Sequence, residues 1–348
     1  MVKRAAQQAG FELAGVAPAA DSPELQTFPE WIAAGHAGEM KYMEARDERG
    51  DLKRGSLSRV APWARSVIVC AINYNTEHPY STEVQDPSCG WISRYAWSRE
   101  DYHDAVLHRL QKVEAVVHEA MGESEPRLIT RSYVDTGPIV ERVFAKYAGV
   151  GWIGKNTCII DQKIGSWLFL GVILTSLELT PDVAAPDRCG TCTRCIEACP
   201  TDAILAPYQL DANRCISYLT IEKRGSIPEE LRAGMGRHVF GCDICQDVCP
   251  WNRKAPATTA PEFSAREGLV NPALDWLAEM SAEEFRETFG GSPVQRTKRS
   301  GLRRNAVIAM GNSGNQQFLP LLEVLVLDED EAVADSAHWA VQKLRNPL

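Results

Sequence analysis

No stretch of the sequence approaches the roughly 18 consecutive apolar residues that a membrane-spanning helix needs. The first residues, Met1 to Gly10, carry two basic side chains but neither an apolar run nor a small-residue cleavage site. Membrane insertion and secretion are therefore not expected, and the chain reads as cytoplasmic. Positive charge is in deficit as well, with a formal net charge of −9. Indiscriminate nucleic-acid binding is thereby disfavoured, because phosphate attraction needs clustered Lys and Arg, although a local basic patch stays compatible with an acidic protein. Without an oxidising compartment, disulfides are not expected either. With 348 residues, 45% of them hydrophobic, the chain can bury two or three cores and reads as a soluble multidomain protein.

Cysteine, by contrast, is abundant. Of eleven cysteines, eight fall within residues 189–249, whereas Cys70, Cys89 and Cys158 stand alone and read as buried thiols. The run Cys189-x2-Cys192-x2-Cys195-x3-Cys199-Pro200 has the bacterial ferredoxin spacing. A second run follows as Cys215, a long insert, then Cys242-x2-Cys245-x3-Cys249-Pro250. In such loops three closely spaced thiolates reach one cubane and the fourth cysteine ligates the other. Cys189, Cys192, Cys195 and Cys249 are thus expected to hold one [4Fe-4S] cluster, and Cys215, Cys242, Cys245 and Cys199 the other. Zinc competes, since Cys-x2-Cys pairs also suit tetrahedral thiolate sites. A zinc site has no reason to repeat an x3-Cys-Pro ending.

Three regions are expected. Residues 1–180 read as mixed α/β, with strands at Ser66–Tyr74, Arg127–Val134 and Ser166–Leu174 and a helix at Tyr102–Met121. Residues 181–255 form a ferredoxin-like two-cluster module, entered by the Pro- and Asp-rich Thr180–Asp187 and left by Lys254–Pro261. Residues 256–348 read as short helices, Gly301–Met310, Gln317–Leu327 and Glu331–Leu344, whose Gly, Asn and Asp turns suggest a HEAT-like pair.

An electron carrier needs only a fraction of this length, and the first region has polar groups of its own. Asp135 follows a strand end, where a helix cap is the plainer reading on position alone and a proton donor the functional one. Gly149, Gly151 and Gly154 match G-x-G-x-x-G but follow a helix, so nicotinamide binding is rejected.

YVDTGP, GWIGKN, GSWLFLG, CGTCTRCIEACP, RCISYLTIE, GCDICQDVCPWN and the terminal LRRNAVIAMGNSG together resemble the epoxyqueuosine reductase family over nearly the whole chain. That resemblance implies a monomeric, cobalamin-dependent iron–sulfur enzyme that removes the epoxide oxygen of epoxyqueuosine at the tRNA wobble position. It further implies Asp135 as proton donor and cobalamin contacts at Ser58, Ser98, Asp135, Ile159, Leu170, Ser217 and Asp243. A base-off Asp-x-His-x-x-Gly loop is absent, and Gly35-His36-Ala37-Gly38 lacks its Asp and Gly positions. The family likewise supplies no axial His. The stretch Tyr95–His103 reads one residue longer than the usual form, with Ser98 where Gly is common. Trp97 within it suits a pocket or a core.

The implied partners are a tRNA with a GUN anticodon and a low-potential donor such as flavodoxin or ferredoxin. Arg296, Lys298, Arg299, Arg303 and Arg304 place five cations, without an acid, at a helix start. Lys223 and Arg224, in the cluster insert, are expected to reach the same RNA, with Arg232, Arg237 and His238 extending that surface. A solvated basic face is the plainer reading of the run. Two other functions stay open: a corrinoid reductive dehalogenase acting on small molecules, and a non-enzymatic electron-transfer adaptor that binds no corrinoid.

Overall fold

In the N-terminal half, Leu13–Pro18 (β1), Ser66–Asn73 (β2), Thr130–Tyr133 (β3) and Leu168–Thr175 (β4) form one antiparallel sheet in the order β1-β2-β4-β3. The computed structural model describes every residue except Arg99, Gly122, Glu267, Pro347 and Leu348, so Arg99 of the Tyr95–His103 stretch lies outside the described residues. All eight residues of β2 are buried, because helices cover both faces of the sheet. Ile68, Cys70 and Ile72 pack toward Val106, Leu110 and Val113 of the helix Tyr102–Met121 (α1). Val67, Val69 and Ala71 face the other way, toward Val143, Phe144 and Ala145 of the helix Glu141–Tyr147 (α2). The two-residue period of a strand thus feeds two cores, each buried aliphatic side chain contributing about 1.5–3 kcal/mol. On β4, a Cβ at Gly171 would meet Leu110 Cδ1 at 2.7 Å. The missing side chain is what lets α1 lie so close.

The helix α1 has the expected bounds, and β2 and β4 match their expected runs to within two residues. The expected Arg127–Val134 strand is shorter, starting at Thr130.

After the cysteine runs come the helices Leu274–Glu279, Ala282–Phe289, Lys298–Ser313 (α3), Leu319–Leu325 and Glu331–Arg345. Gly314, at φ +71°, ends α3 in the left-handed conformation that the Gly-Asn-Ser-Gly turn suggests. Asp330 caps the last helix by accepting from the Ala332 and Val333 amides. These helices share their core with Ile92, Trp97, Val239 and Phe240, carried in part by the parallel pair Trp91–Ile92 and His238–Phe240. Phe263 and Ala260 pack back into the core of α1 and β2. The region limits at 180 and 255 therefore do not separate independent cores. Nor is 254–261 a loose linker: Ala255 and Pro256 carbonyls accept from Asn75 and Asn73. Trp97 is core, its Nε1 donating to the Ile92 carbonyl at 2.9 Å. Among the described residues no helix is long and apolar enough to cross a membrane.

Candidate active site

Each cysteine run wraps into a short helix, Arg194–Glu197 in the first and Ile244–Asp247 in the second. Cys189 and Cys249 meet in one apolar cluster with Trp152, Ile160 and Trp251. Cys215 and Cys242 meet in another with Ile216 and Leu219. Burial pushes the Cys249 thiol up to about 11, with nearby Cys189 and Cys195 adding to it. Burial also raises Cys215 and Cys242, and both feel Cys199. The fold therefore carries the last cysteine of each run to the other run's group. Among the described residues, no three His, Cys, Asp or Glu side chains converge on a site for one metal ion.

The GWIGKN segment braces both runs. Trp152–Ile153 pairs with Ile159–Ile160, and the turn between them projects Lys155, whose Nζ donates to the Gly190 and Cys192 carbonyls at 2.6 and 2.9 Å. Asn156 Nδ2 donates to the Cys245 carbonyl at 3.2 Å. Cys158, read from sequence as a lone thiol, lines the same cavity wall as Cys245, and each thiol perturbs the other's titration.

Between the sheet and the second cysteine group lies a cavity of about 400 Å³. Cys199, Cys215, Cys242 and Cys245 line one side, and Asp135, Glu141 and Tyr102 line it as well. Of the expected cofactor contacts, Asp135, Ile159, Leu170, Ser217 and Asp243 all face this space. Ser58 and Ser98 are corrected: neither is a lining residue. Ser58 is exposed, its hydroxyl against that of Ser56 at 2.8 Å. Ser98 is buried and donates to the Glu100 carbonyl at 2.7 Å. Ser93 does line the cavity, beside Ser166 and Ser217, and donates to the buried Asp243 carboxylate, as does the Arg94 amide at 2.6 Å. Amide and hydroxyl groups of Asn156, Ser217 and Gln246 stand among apolar walls, a donor set that fits the amide-fringed, largely apolar ring of a corrinoid. No histidine is among the described lining residues.

Asp135 sits beyond β3 at φ +56°, a conformation few non-glycine residues adopt. It does not cap α2, whose first turn is preceded by Val140. Its Oδ2 accepts from Tyr102 Oη at 2.9 Å and lies 3.7 Å from His103 Nε2, and the side chain, which lines the cavity, is 70% exposed. The His103 contact, opposed by desolvation and aided by Tyr102, holds Asp135 below the usual carboxylate range. Burial lowers His103, yet the hydrogen bonds to Asp101 and Asp135 outweigh it and lift the imidazole to about 9. Glu141 is pushed up to about 7 by burial, and its Oε1 is buried without a hydrogen-bond partner. At neutral pH the proton thus rests on His103, with Asp135 ionised.

The basic run needs the largest correction. Arg304 is 1% exposed and donates to the Leu219, Lys223 and Gly225 carbonyls. Arg303, also buried, pairs with Asp328 and donates to the Ala278 carbonyl at 2.7 Å. Arg304 ties the cluster insert to the C-terminal helices and Arg303 ties those helices to one another, so neither forms an RNA-facing surface. Arg299 donates to the Met280 carbonyl, and Lys223 pairs with Glu39. Arg232, Arg237 and His238 are buried too and extend no surface. Lys298, Arg296 and Arg224 stay exposed. Of these, Arg296 pairs with Glu222 and Arg224 donates to the Arg296 carbonyl.

Two groups of thiols, one of them lining a cavity that also holds proton-handling side chains, define an iron–sulfur oxidoreductase. A family model described as a 4Fe-4S double cluster binding domain matches residues 188–252, and one described as epoxyqueuosine reductase QueG, DUF1730, matches residues 54–136. The epoxyqueuosine reductase of Xanthomonas campestris is 38% identical over 98% of this chain and 94% of its own length. That of Escherichia coli is 37% identical over 90% of this chain and 80% of its own. A crystal structure of epoxyqueuosine reductase with a tRNA-Tyr epoxyqueuosine-modified stem loop superposes with a TM-score of 0.87 at 30% identity, covering 99% of this chain and 90% of that one. The Bacillus subtilis enzyme, described with its catalytic aspartate loop swung out of the active site, gives 0.86 at 30% identity over the same shares. The chain belongs to the epoxyqueuosine reductase family.

Proposed function

We propose that this chain reduces epoxyqueuosine in tRNA to queuosine, with cobalamin held in the cavity beside the second of two [4Fe-4S] clusters. The observation that carries the reading is that Cys199, Cys215, Cys242 and Cys245 open into the same space as Asp135. An electron source and a proton-handling group therefore share one substrate-sized volume. The relatives named above support it, one described with the modified stem loop and another with its catalytic aspartate loop swung out of the active site.

When bound, cobalamin supplies a strongly reducing cobalt centre at the carbon–oxygen bond. The chain's own residues do the rest. Ile159, Leu170 and Ser217 would hold the cofactor, Asp243 stiffens that wall through Ser93 and Arg94, and Asp135 would pass a proton to the departing oxygen. The wobble nucleotide must leave its loop to enter, as bases do in enzymes that modify them. A tRNA with a GUN anticodon docks on Lys298, Arg296 and Arg224, carried by the C-terminal helices as a HEAT-like stack. Arg296 lies over the Tyr42 ring, 5.3 Å from its centroid. A flavodoxin- or ferredoxin-type donor feeds the clusters, and the enzyme works as a cytoplasmic monomer.

The test is anaerobic reconstitution with iron, sulfide and cobalamin, followed by EPR of the desalted protein and nucleoside analysis of epoxyqueuosine-bearing tRNA. About eight irons per chain, a retained Co(II) signal and conversion to queuosine are expected. Clusters without retained cobalt, or a loaded enzyme that leaves the epoxide intact, would overturn the reading.

A further inference from the structure

Removing an epoxide oxygen as water has a fixed stoichiometry. Two carbon–oxygen bonds break, a carbon–carbon π bond and two O–H bonds form, and the balance consumes two electrons and two protons. In the proposed reaction the clusters supply the electrons. Asp135 alone holds at most one proton, and its surroundings keep it ionised at rest.

We propose that His103 is the proton port of this site: clasped between Asp101 and Asp135, it draws protons from solvent and reloads Asp135 twice in each turnover. The geometry is a short relay. Asp101 Oδ1 lies 2.7 Å from His103 Nδ1 and fixes the ring, while the opposite nitrogen, Nε2, faces Asp135 Oδ2 at 3.7 Å. A small turn of either side chain closes that gap, as catalytic contacts commonly do on substrate binding. The His103 side chain is 32% exposed, so water reaches it. Tyr102 stacks on the imidazole with centroids 4.0 Å apart and donates to the Asp135 oxygen that must take the proton. Tyr95 packs edge-on against Tyr102. From α2, Arg142 and Glu141 act on Asp135, the cation favouring its ionised form.

The steps balance. His103 Nε2–H passes its proton to Asp135, which gives it to the oxygen as the first carbon–oxygen bond breaks and a hydroxyl forms. His103 then takes a second proton from water. The same transfer lets the hydroxyl leave as water as the second bond breaks, and a final uptake restores imidazolium beside an ionised Asp135. Asp101 is a positioning residue that acts through His103 and does not line the cavity.

This inference rests on the reading of the site as an epoxide reductase, so the experiment separates the two. Pre-reduced, cobalamin-loaded protein is mixed with epoxyqueuosine-bearing tRNA and single-turnover rates are measured from pH 6 to 10, together with tRNA affinity and the cobalt and cluster EPR signals. The rate of the unmodified protein should fall at alkaline pH as His103 loses its proton. His103→Gln should slow the reaction by about 10²-fold or more and flatten that alkaline limb, with tRNA affinity and EPR signals unchanged. Asp101→Asn, a milder change, should move the limb toward neutral pH, and free imidazole should restore part of the rate of His103→Ala. If the unmodified protein converts no substrate, the parent reading fails. If it converts substrate while His103→Gln and Asp101→Asn keep its rate and pH profile, the port is wrong and the parent reading stands. A loss confined to Glu141→Gln would give the proton supply to Glu141 and overturn the proposal.

Discussion

The cysteine side of the cavity and its acid side reach the same space by different routes. The thiols come from one segment, 189–249, whose spacing is written contiguously. Asp101 and His103 at the start of α1, Asp135 beyond β3 and Glu141 at the start of α2 come instead from three elements set side by side by the sheet. A local pattern can carry ligands for a cluster because the cluster itself draws the loop around it. A proton relay has no such template. It exists only when the packing of β3, β4 and the two helices is complete.

That contrast can be broken from either side. Cys245→Ser removes a thiol that lines the cavity along with Cys158. Reconstituted iron should drop by roughly half, since one cubane is lost, and activity should vanish; full iron content would mean the second group is not a cluster site. On the acid side, Asp135→Asn should cut conversion by on the order of 10²–10⁴-fold with iron content and tRNA affinity intact. A matched loss of tRNA binding would show that Asp135 mainly shapes the loop.

Two smaller effects sharpen the contrast. Arg304→Met leaves three backbone carbonyls and Asn305 without their donor and should cost about 3 kcal/mol of stability, read by denaturant unfolding. Lys298→Ala should leave stability alone and lower the salt slope of tRNA binding by about one unit. The reverse pattern would return Arg304 to the RNA surface. Glu141 tests the cost of the acid wall. Its folded value, about 7, lies above the ordinary one, so its contribution to stability is full below about pH 4.5 and is lost as pH rises through 7. Glu141→Gln should therefore stabilise the protein at pH 8 by up to about 3 kcal/mol and change little near pH 4. Equal effects at both pH values would mean that the carboxyl is not held neutral.

Much of this was legible in the sequence, unevenly. The α1 bounds, the buried β2 run and both cysteine spacings could be read directly, because each depends on neighbours close in sequence. Ser98 was legible as a serine in the right stretch but not as the wrong one. Whether Ser93 or Ser98 meets Asp243 is decided by how Trp91–Ile92 pairs with His238–Phe240, about 150 residues away. The basic run shows the same limit more sharply. Five cations without a neighbouring acid read as a surface, yet the partners of Arg303 and Arg304 are Asp328 and a row of carbonyls. Backbone acceptors carry no letter in a sequence. His103 was overlooked for a related reason: a histidine two residues from an aspartate is unremarkable until a third element brings Asp135 against its other face.

Arg304 also sets an order of assembly. The loop after Cys215 is fastened by a side chain made 79 to 85 residues later. As the chain emerges during synthesis, the first cysteine run is complete long before the anchor for Cys215 exists. A nascent or truncated chain ending before Lys298 would therefore keep the Lys223–Glu39 pair and the Glu39 amide's bond to Tyr218 Oη, but would lack the clasp of Arg304 on the loop after Cys215.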